Sequence, residues 1–199
     1  MRWRVGERRT IHQSHWATVE LADVELPDGT VLTHEILTMP RDGAMTAVVR
    51  DGCVLMIFRH RFLNDAWGWE LPGGMVEAGE QPIVAAAREV EEETGWRPVG
   101  IRPLTSFRPS SGWSVQRFHL FAADEALYVG PPAEQNEASL IRWRPLEEVR
   151  AALAAGESPD GLTQFGLAFV LGGTQILRAG ESWTDRGATP PAGEETDRR

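Results

Sequence analysis

Leu71-Pro72-Gly73-Gly74-Met75-Val76-Glu77-Ala78-Gly79-Glu80 leads through Gln81 and Pro82 into an alanine-rich run that ends Arg88-Glu89-Val90-Glu91-Glu92-Glu93-Thr94-Gly95. Pro suits the first position of a helix and Gly the position just past its last turn, so the spacing predicts one helix from Pro82 to Thr94. Ile83, Ala86 and Val90 fall on one side and form its expected buried stripe, beside the acidic face. Four glutamates crowd the carboxyl end of this helix, where the helix dipole disfavours each acid by roughly 0.3–1 kcal/mol and like charges three or four residues apart add repulsion. At about 100° per residue Glu89 and Glu93 point almost the same way, Glu92 lies within about 60° of Glu89, and Glu91 falls opposite. Three carboxylates sharing a face suit a hard divalent ion such as Mg²⁺ or Mn²⁺. A solvated acidic face fits the helix alone equally well. The glycines upstream favour the ion, because they let the backbone pass close to a ligand and present a bare carbonyl.

Gly74, five residues, Glu80, seven residues, then Arg88-Glu89-Val90 and Glu92-Glu93 before Gly95 resembles the Nudix box at every fixed position, with Trp96 where an aliphatic residue is usual. Outside the box the chain resembles the ADP-ribose pyrophosphatase branch of the Nudix hydrolase superfamily. The matching segments are Leu26-Pro27-Asp28-Gly29, His60-Arg61, Trp69-Glu70-Leu71-Pro72, Phe107-Arg108-Pro109-Ser110-Ser111-Gly112, and Pro145-Leu146-Glu147-Glu148 behind an acidic loop. The branch usually carries Pro-Ala-Gly where Pro72-Gly73-Gly74 stands, and often an acid where Gln116 stands, so a related nucleotide sugar remains open as substrate.

Composition sets outer limits. The 199 residues, 42% hydrophobic, suffice for a full core, most simply in one domain. A formal charge of −9 argues against nucleic acid or an anionic membrane as partner. Every basic residue is arginine. The single cysteine, Cys53, allows no internal disulfide, and no apolar run of 18 residues occurs, so a cytoplasmic protein is the reading.

Along the chain, Thr18 to Leu26 and Val31 to Thr38 flank a Pro27-Asp28-Gly29 turn, and Met45 to Val49 and Val54 to Phe58 flank Asp51-Gly52. Both pairs read as hairpins. Further strands are expected at Val99 to Phe107, Gln116 to Ala122 and Leu140 to Trp143, and helices at Pro145 to Ala155 and Leu162 to Leu171. An acidic, proline-rich connection is expected from Asp124 to Glu137. Hairpins with a few helices make an α+β chain. The resemblance implies a Nudix α/β/α sandwich over residues 40–172, preceded by an N-terminal antiparallel β-strand extension over 1–39 that joins two subunits as a homodimer. Residues 184–199, without apolar periodicity, are expected to be a disordered tail.

The chemistry of a pyrophosphate needs divalent ions to neutralise charge and a base to activate water. Glu89 and Glu93 are the principal metal ligands expected, with Glu92 and the Gly73 carbonyl completing the shell, and Arg88 is expected to hold a box glutamate. The resemblance implies a general base in the acidic loop, which selects Glu137 first and Glu134 second; solvated loop acids are the alternative. Glu92 and Glu93 also count among the candidate catalytic residues. Arg61 is a candidate phosphate clamp, since a guanidinium grips two phosphate oxygens at once, or else a surface arginine. Trp69 and Trp143 read as core. Trp113 in its Ser-Gly loop and Trp16 on an N-terminal strand either pack or stack on a nucleobase, and the histidines show no metal-ligand spacing. The expected activity is Mg²⁺-dependent cleavage of ADP-ribose or a related nucleotide sugar to a nucleoside monophosphate and a sugar phosphate. The alternatives are a hydrolase of oxidised nucleotides or dinucleoside polyphosphates, and a ligand-sensing Nudix domain without catalysis, although no helix-turn-helix segment is apparent.

Overall fold

Asp51 and Gly52 both adopt positive φ, 50° and 73°, the backbone a two-residue hairpin turn requires, and they join β4 (Gly43–Arg50) to β5 (Cys53–Arg61). This hairpin is the centre of the computed structural model, which describes residues 2–134, 137–158 and 160–172. The two strands pair at only two positions, Val49 with Val54 and Arg50 with Cys53. Beyond them the strands part. β5 then takes β6 (Ala66–Glu70) and β12 (Leu140–Pro145) as antiparallel neighbours, while β4 takes β7 (Gly73–Met75) antiparallel and β10 (Phe118–Ala123) parallel. With β9 (Arg102–Phe107) beyond β10, the path across the mixed sheet is β12-β5-β4-β10-β9.

Alternate side chains of β4 and β5 face opposite layers, as the pleat demands. Val48 and Leu55 pack with Val90 of helix α1 (Pro82–Thr94), whereas Ala47, Val54 and Met56 pack with Val149 of α2 (Leu146–Ala154) and Leu167 of α3 (Gly161–Leu171). The result is the α/β/α sandwich expected. Fully burying Val90 contributes about 1.5–3 kcal/mol relative to leaving it in water.

α1 starts at Pro82 and stops at Gly95, whose φ of 73° is left-handed and whose N–H bonds to the Glu91 carbonyl. A Cβ there would stand 2.0 Å from the Gly130 oxygen, so only glycine fits. The stripe lies differently from the expectation. Ile83 is 37% exposed and Ala85 takes its place in the core, which turns Glu89 and Glu93 toward the sheet instead of beside the buried face. α3 is capped by Asp160, which accepts from the Thr163 N–H, and the buried Thr163 hydroxyl accepts from the Leu71 N–H at 3.1 Å. That bond ties α3 to the residue just ahead of Pro72-Gly73-Gly74.

The N-terminal sheet has three strands, β1 (Arg4–Gln13), β2 (Thr18–Glu25) and β3 (Val31–Thr38), all antiparallel. β2 and β3 form the expected hairpin, with Gly29 at φ 86° and Asp28 accepting from the Thr30 N–H. β1 is an addition: every one of its residues is exposed, so its sequence carries no buried alternation to read. The strand expected from Val99 to Phe107 is broken by Gly100, at φ 68°, into β8 (Trp96–Val99) and β9. The one expected from Gln116 starts at Phe118, because the Gln116 amide turns to donate to the Arg41 carbonyl. The acidic connection opens with a strand, β11 (Glu125–Tyr128), paired with β8. Trp69 and Trp143 pack against the core clusters as expected. The tail over 184–199 lies outside the described residues. Among the described residues, no helix is long and apolar enough to cross a membrane.

Candidate active site

α1 packs against β4 and β7 and brings Glu89 and Glu93 to the Gly73-Gly74 strand. A carboxylate oxygen from each, together with one from Glu134 in the loop before β12, falls within 4.8 Å of the others. Gly74 makes this approach possible, since a Cβ there would stand 2.5 Å from the Glu89 carboxylate. Glu93 is 1% exposed. Its Oε2 accepts from the Gly73 N–H at 2.8 Å, and its Oε1 accepts from the Arg59 guanidinium. Three acids of oxygen-only chemistry, two of them buried, fit a hard divalent cation.

Arg88 does hold box glutamates. Its guanidinium donates to both oxygens of Glu80 at 3.0 and 3.1 Å, to Glu89 at 2.9 Å, to Glu92 at 2.7 Å, and to the Met75 carbonyl at 3.1 Å. Hydrogen bonding to Arg88 holds Glu80 below the ordinary carboxylate range. Glu92 therefore turns toward Arg88, four residues back, and Glu134 occupies the third corner of the acid group expected for Glu92.

Burial dominates the titration of the group. It pushes Glu93 up from 4.5 to about 8 against the opposing pull of Arg59 and the Gly73 N–H, and it also raises Glu89 and Glu134. An acid whose folded pKa is raised binds more protons folded than unfolded, so stability declines as pH rises. For the metal-free protein that decline is expected between about pH 4.5 and 8 on account of Glu93. Thermal midpoints measured in chelator across this interval should fall more steeply for the wild type than for Glu93→Gln. Parallel profiles would refute the assignment.

The remaining expected residues divide. Glu137, half-exposed, lies 3.4 Å from Arg59 and outside the acid group. Arg61 does not present a free fork. Glu70 is buried and needs a cation, and Arg61 supplies it through two bonds of 2.9 and 2.5 Å. Trp16 sits in the turn between β1 and β2 instead of on a strand and is 66% exposed, its ring edge-on to His15 at 5.2 Å; Trp113 is 53% exposed. The Trp113 loop is tied to β3, where the Leu37 N–H donates to the Trp113 carbonyl at 2.9 Å and the His34 ring bonds the Gly112 carbonyl.

Two residues of the site escaped sequence reasoning. Arg59 lies just past the strand expected to end at Phe58, and Glu70 stands in the Trp69-Glu70-Leu71-Pro72 segment, outside the expected strands. The signal available was alternation: Arg59 follows Leu55 and Ile57 at a period of two, which aims a charge toward the α1 layer.

The geometry defines a class, and residues 39–164 match the NUDIX domain model while residues 3–37 match that of the nucleoside diphosphate sugar hydrolase N-terminal domain. The chain belongs to the Nudix family and is a Nudix pyrophosphohydrolase. Among its relatives is the CMP-5'-(N-acetyl-N-hydroxy-3-aminopropyl)phosphonate hydrolase of Streptomyces rubellomurinus, 45% identical over 174 residues, which cover 86% of this chain and 84% of that protein. The ADP-ribose pyrophosphatase of Bacillus subtilis is 30% identical over 150 residues, covering 74% of this chain and 81% of that one. A crystal structure of an ADP compounds hydrolase shares the fold, with a TM-score of 0.78 at 18% identity, covering 88% of this chain and 95% of that one.

Proposed function

We propose that the protein hydrolyses the phosphorus–oxygen–phosphorus link between a nucleoside monophosphate and a second moiety, with ADP-ribose or a related nucleotide sugar as substrate. The convergence of Glu89, Glu93 and Glu134 beside Gly73-Gly74 carries this reading. Glu89 and Glu93, with Glu134 and the Gly73 backbone, would hold Mg²⁺ or Mn²⁺, and Glu92 stays available through Arg88. The ion supplies neutralisation of the phosphoryl oxygens and of the departing charge. Glu137, half-exposed, outside the acid group and 3.4 Å from Arg59, would take a proton from water as general base. Arg61 would contact phosphate only by leaving Glu70, and the exposed rings of Trp16 and Trp113 offer stacking surface for a base.

The Streptomyces relative supports a second substrate, a nucleoside monophosphate joined to an organic phosphonate. Its P–O–P link asks the same chemistry of the site. A panel of ADP-ribose, other nucleotide sugars and a CMP-linked aminoalkylphosphonate, assayed with Mg²⁺ and resolved by phosphorus NMR, separates the two. The expected products are a nucleoside monophosphate and a phosphorylated or phosphonate partner. Cleavage confined to oxidised nucleoside triphosphates or dinucleoside polyphosphates would overturn both.

We further propose a homodimer joined through β1 to β3, because a three-stranded sheet with one wholly exposed strand, carrying Val5 and Ile11 half-exposed, lacks a covering surface. Light scattering should report twice the chain mass, and a monomer would refute it. One cysteine and a charge of −9 support a cytoplasmic location and a partner other than nucleic acid.

A further inference from the structure

Arg59 occupies a position for which the proposed reaction gives no account. Its side chain is 8% exposed, and it faces acids from three separate elements: Glu93 of α1, Glu70 of β6 and Glu137 of the loop before β12. Only Glu93 holds it closely. Glu137 Oε2 lies at 3.4 Å, and among the described residues the Nε donor has no hydrogen-bond partner, the nearest acid there being Glu70 Oε2 at 3.9 Å. A buried guanidinium donor left unpaired costs free energy that a small shift toward Glu70 would recover. The guanidinium is thus drawn to one end of its cage, away from an acceptor already in place.

The acid to which it is drawn belongs to the group proposed to hold the divalent ion. Glu93 offers one oxygen to the Gly73 N–H and the other to Arg59, so both of its oxygens already have protein donors. A doubly charged ion on this carboxylate and a guanidinium on the same carboxylate repel each other strongly in so dry a place. They compete.

We propose that Arg59 is a built-in competitor for the metal site: it holds one oxygen of Glu93 while the site lacks an ion, and moves toward Glu70 when an ion binds, completing its Nε bond there. Arg59 acts through Glu93 and is a positioning residue; it sets how tightly the ion is held before substrate arrives. Glu70 is the receiving end, and Arg61, bonded twice to Glu70, fixes that carboxylate in place. The inference rests on the metal reading of Glu89, Glu93 and Glu134.

The test is Mn²⁺ titration of the full-length protein by calorimetry, without nucleotide, for the wild type, Arg59→Gln, Arg59→Lys and Glu70→Gln, with circular dichroism as a check of folding. Removing the competing charge should tighten Mn²⁺ binding at least about tenfold in Arg59→Gln, while Arg59→Lys, which keeps the charge, stays nearer the wild type. Glu70→Gln, which removes the charge that receives the arginine, should weaken binding several-fold, and this variant decides the matter if Arg59→Gln does not fold. Binding in Arg59→Gln equal to or weaker than the wild type, or in Glu70→Gln equal or tighter, would overturn the inference and leave the metal site standing. No Mn²⁺ binding by any of the folded proteins would overturn both.

Discussion

Replacing Glu93 by glutamine is expected to lower turnover at least about a hundredfold with the fold retained, and Glu89→Gln to do the same, because each removes a charge from the place where phosphoryl charge must be offset. Glutamine keeps the shape and can still accept from the Gly73 N–H, so circular dichroism and the thermal transition should remain those of a folded protein. Glu91 supplies the control on the same helix. It is bonded twice to Arg97 on the outer surface, at 2.7 and 2.9 Å, and its replacement by glutamine should leave turnover within about twofold of the wild type, as surface ion pairs of this kind contribute little. A loss at Glu91 matching that at Glu93 would contradict the orientation of α1.

Thorough removal of divalent ions is expected to reduce hydrolysis to background, with recovery on adding Mg²⁺ or Mn²⁺. The reason is charge: the acid group brings three carboxylates together while its substrate adds phosphoryl anions, and Arg59 and Arg88 are already engaged by glutamates. Without an ion, substrate and site repel each other. Activity measured before and after extended dialysis against chelator checks this, and full activity in the chelated sample would refute it.

How much of this was legible in the residues varied with the kind of signal. α1 was readable to its ends, because Pro82 and Gly95 mark helix boundaries through backbone geometry that no tertiary context changes. The hairpins at Asp28-Gly29 and Asp51-Gly52 were readable for the same reason. β1, by contrast, is wholly exposed, and β7 is three residues long; neither leaves a periodic trace. In the site, helical phase brought Glu89 and Glu93 together correctly, but it could not show that Arg88 would claim Glu92. Nor could it show that the loop before β12 would deliver Glu134, since that contact depends on a backbone bond from the Glu134 N–H to the Glu92 carbonyl at the end of α1. Arg61 reads as a candidate clamp or a surface arginine, and its two bonds to Glu70 were not legible because Glu70 resembles an ordinary strand residue until its burial is known.

The parting of β4 and β5 after two paired positions has a kinetic side. β4 finds its parallel partner in β10 and β5 its neighbour in β12, so both halves of the sheet wait for distant segments to arrive. Such pairings form slowly, since long loops must close before any contact rewards them. α1 can coil early, yet its glutamates have no Arg59 opposite until β5 is in place and no Glu134 beside them until the loop before β12 has arrived. An ion recognised by the finished acid group then cannot guide the chain toward its fold. Such an ion would act as a late latch, slowing unfolding while leaving the refolding rate unchanged, and a chevron plot recorded with and without Mn²⁺ checks this.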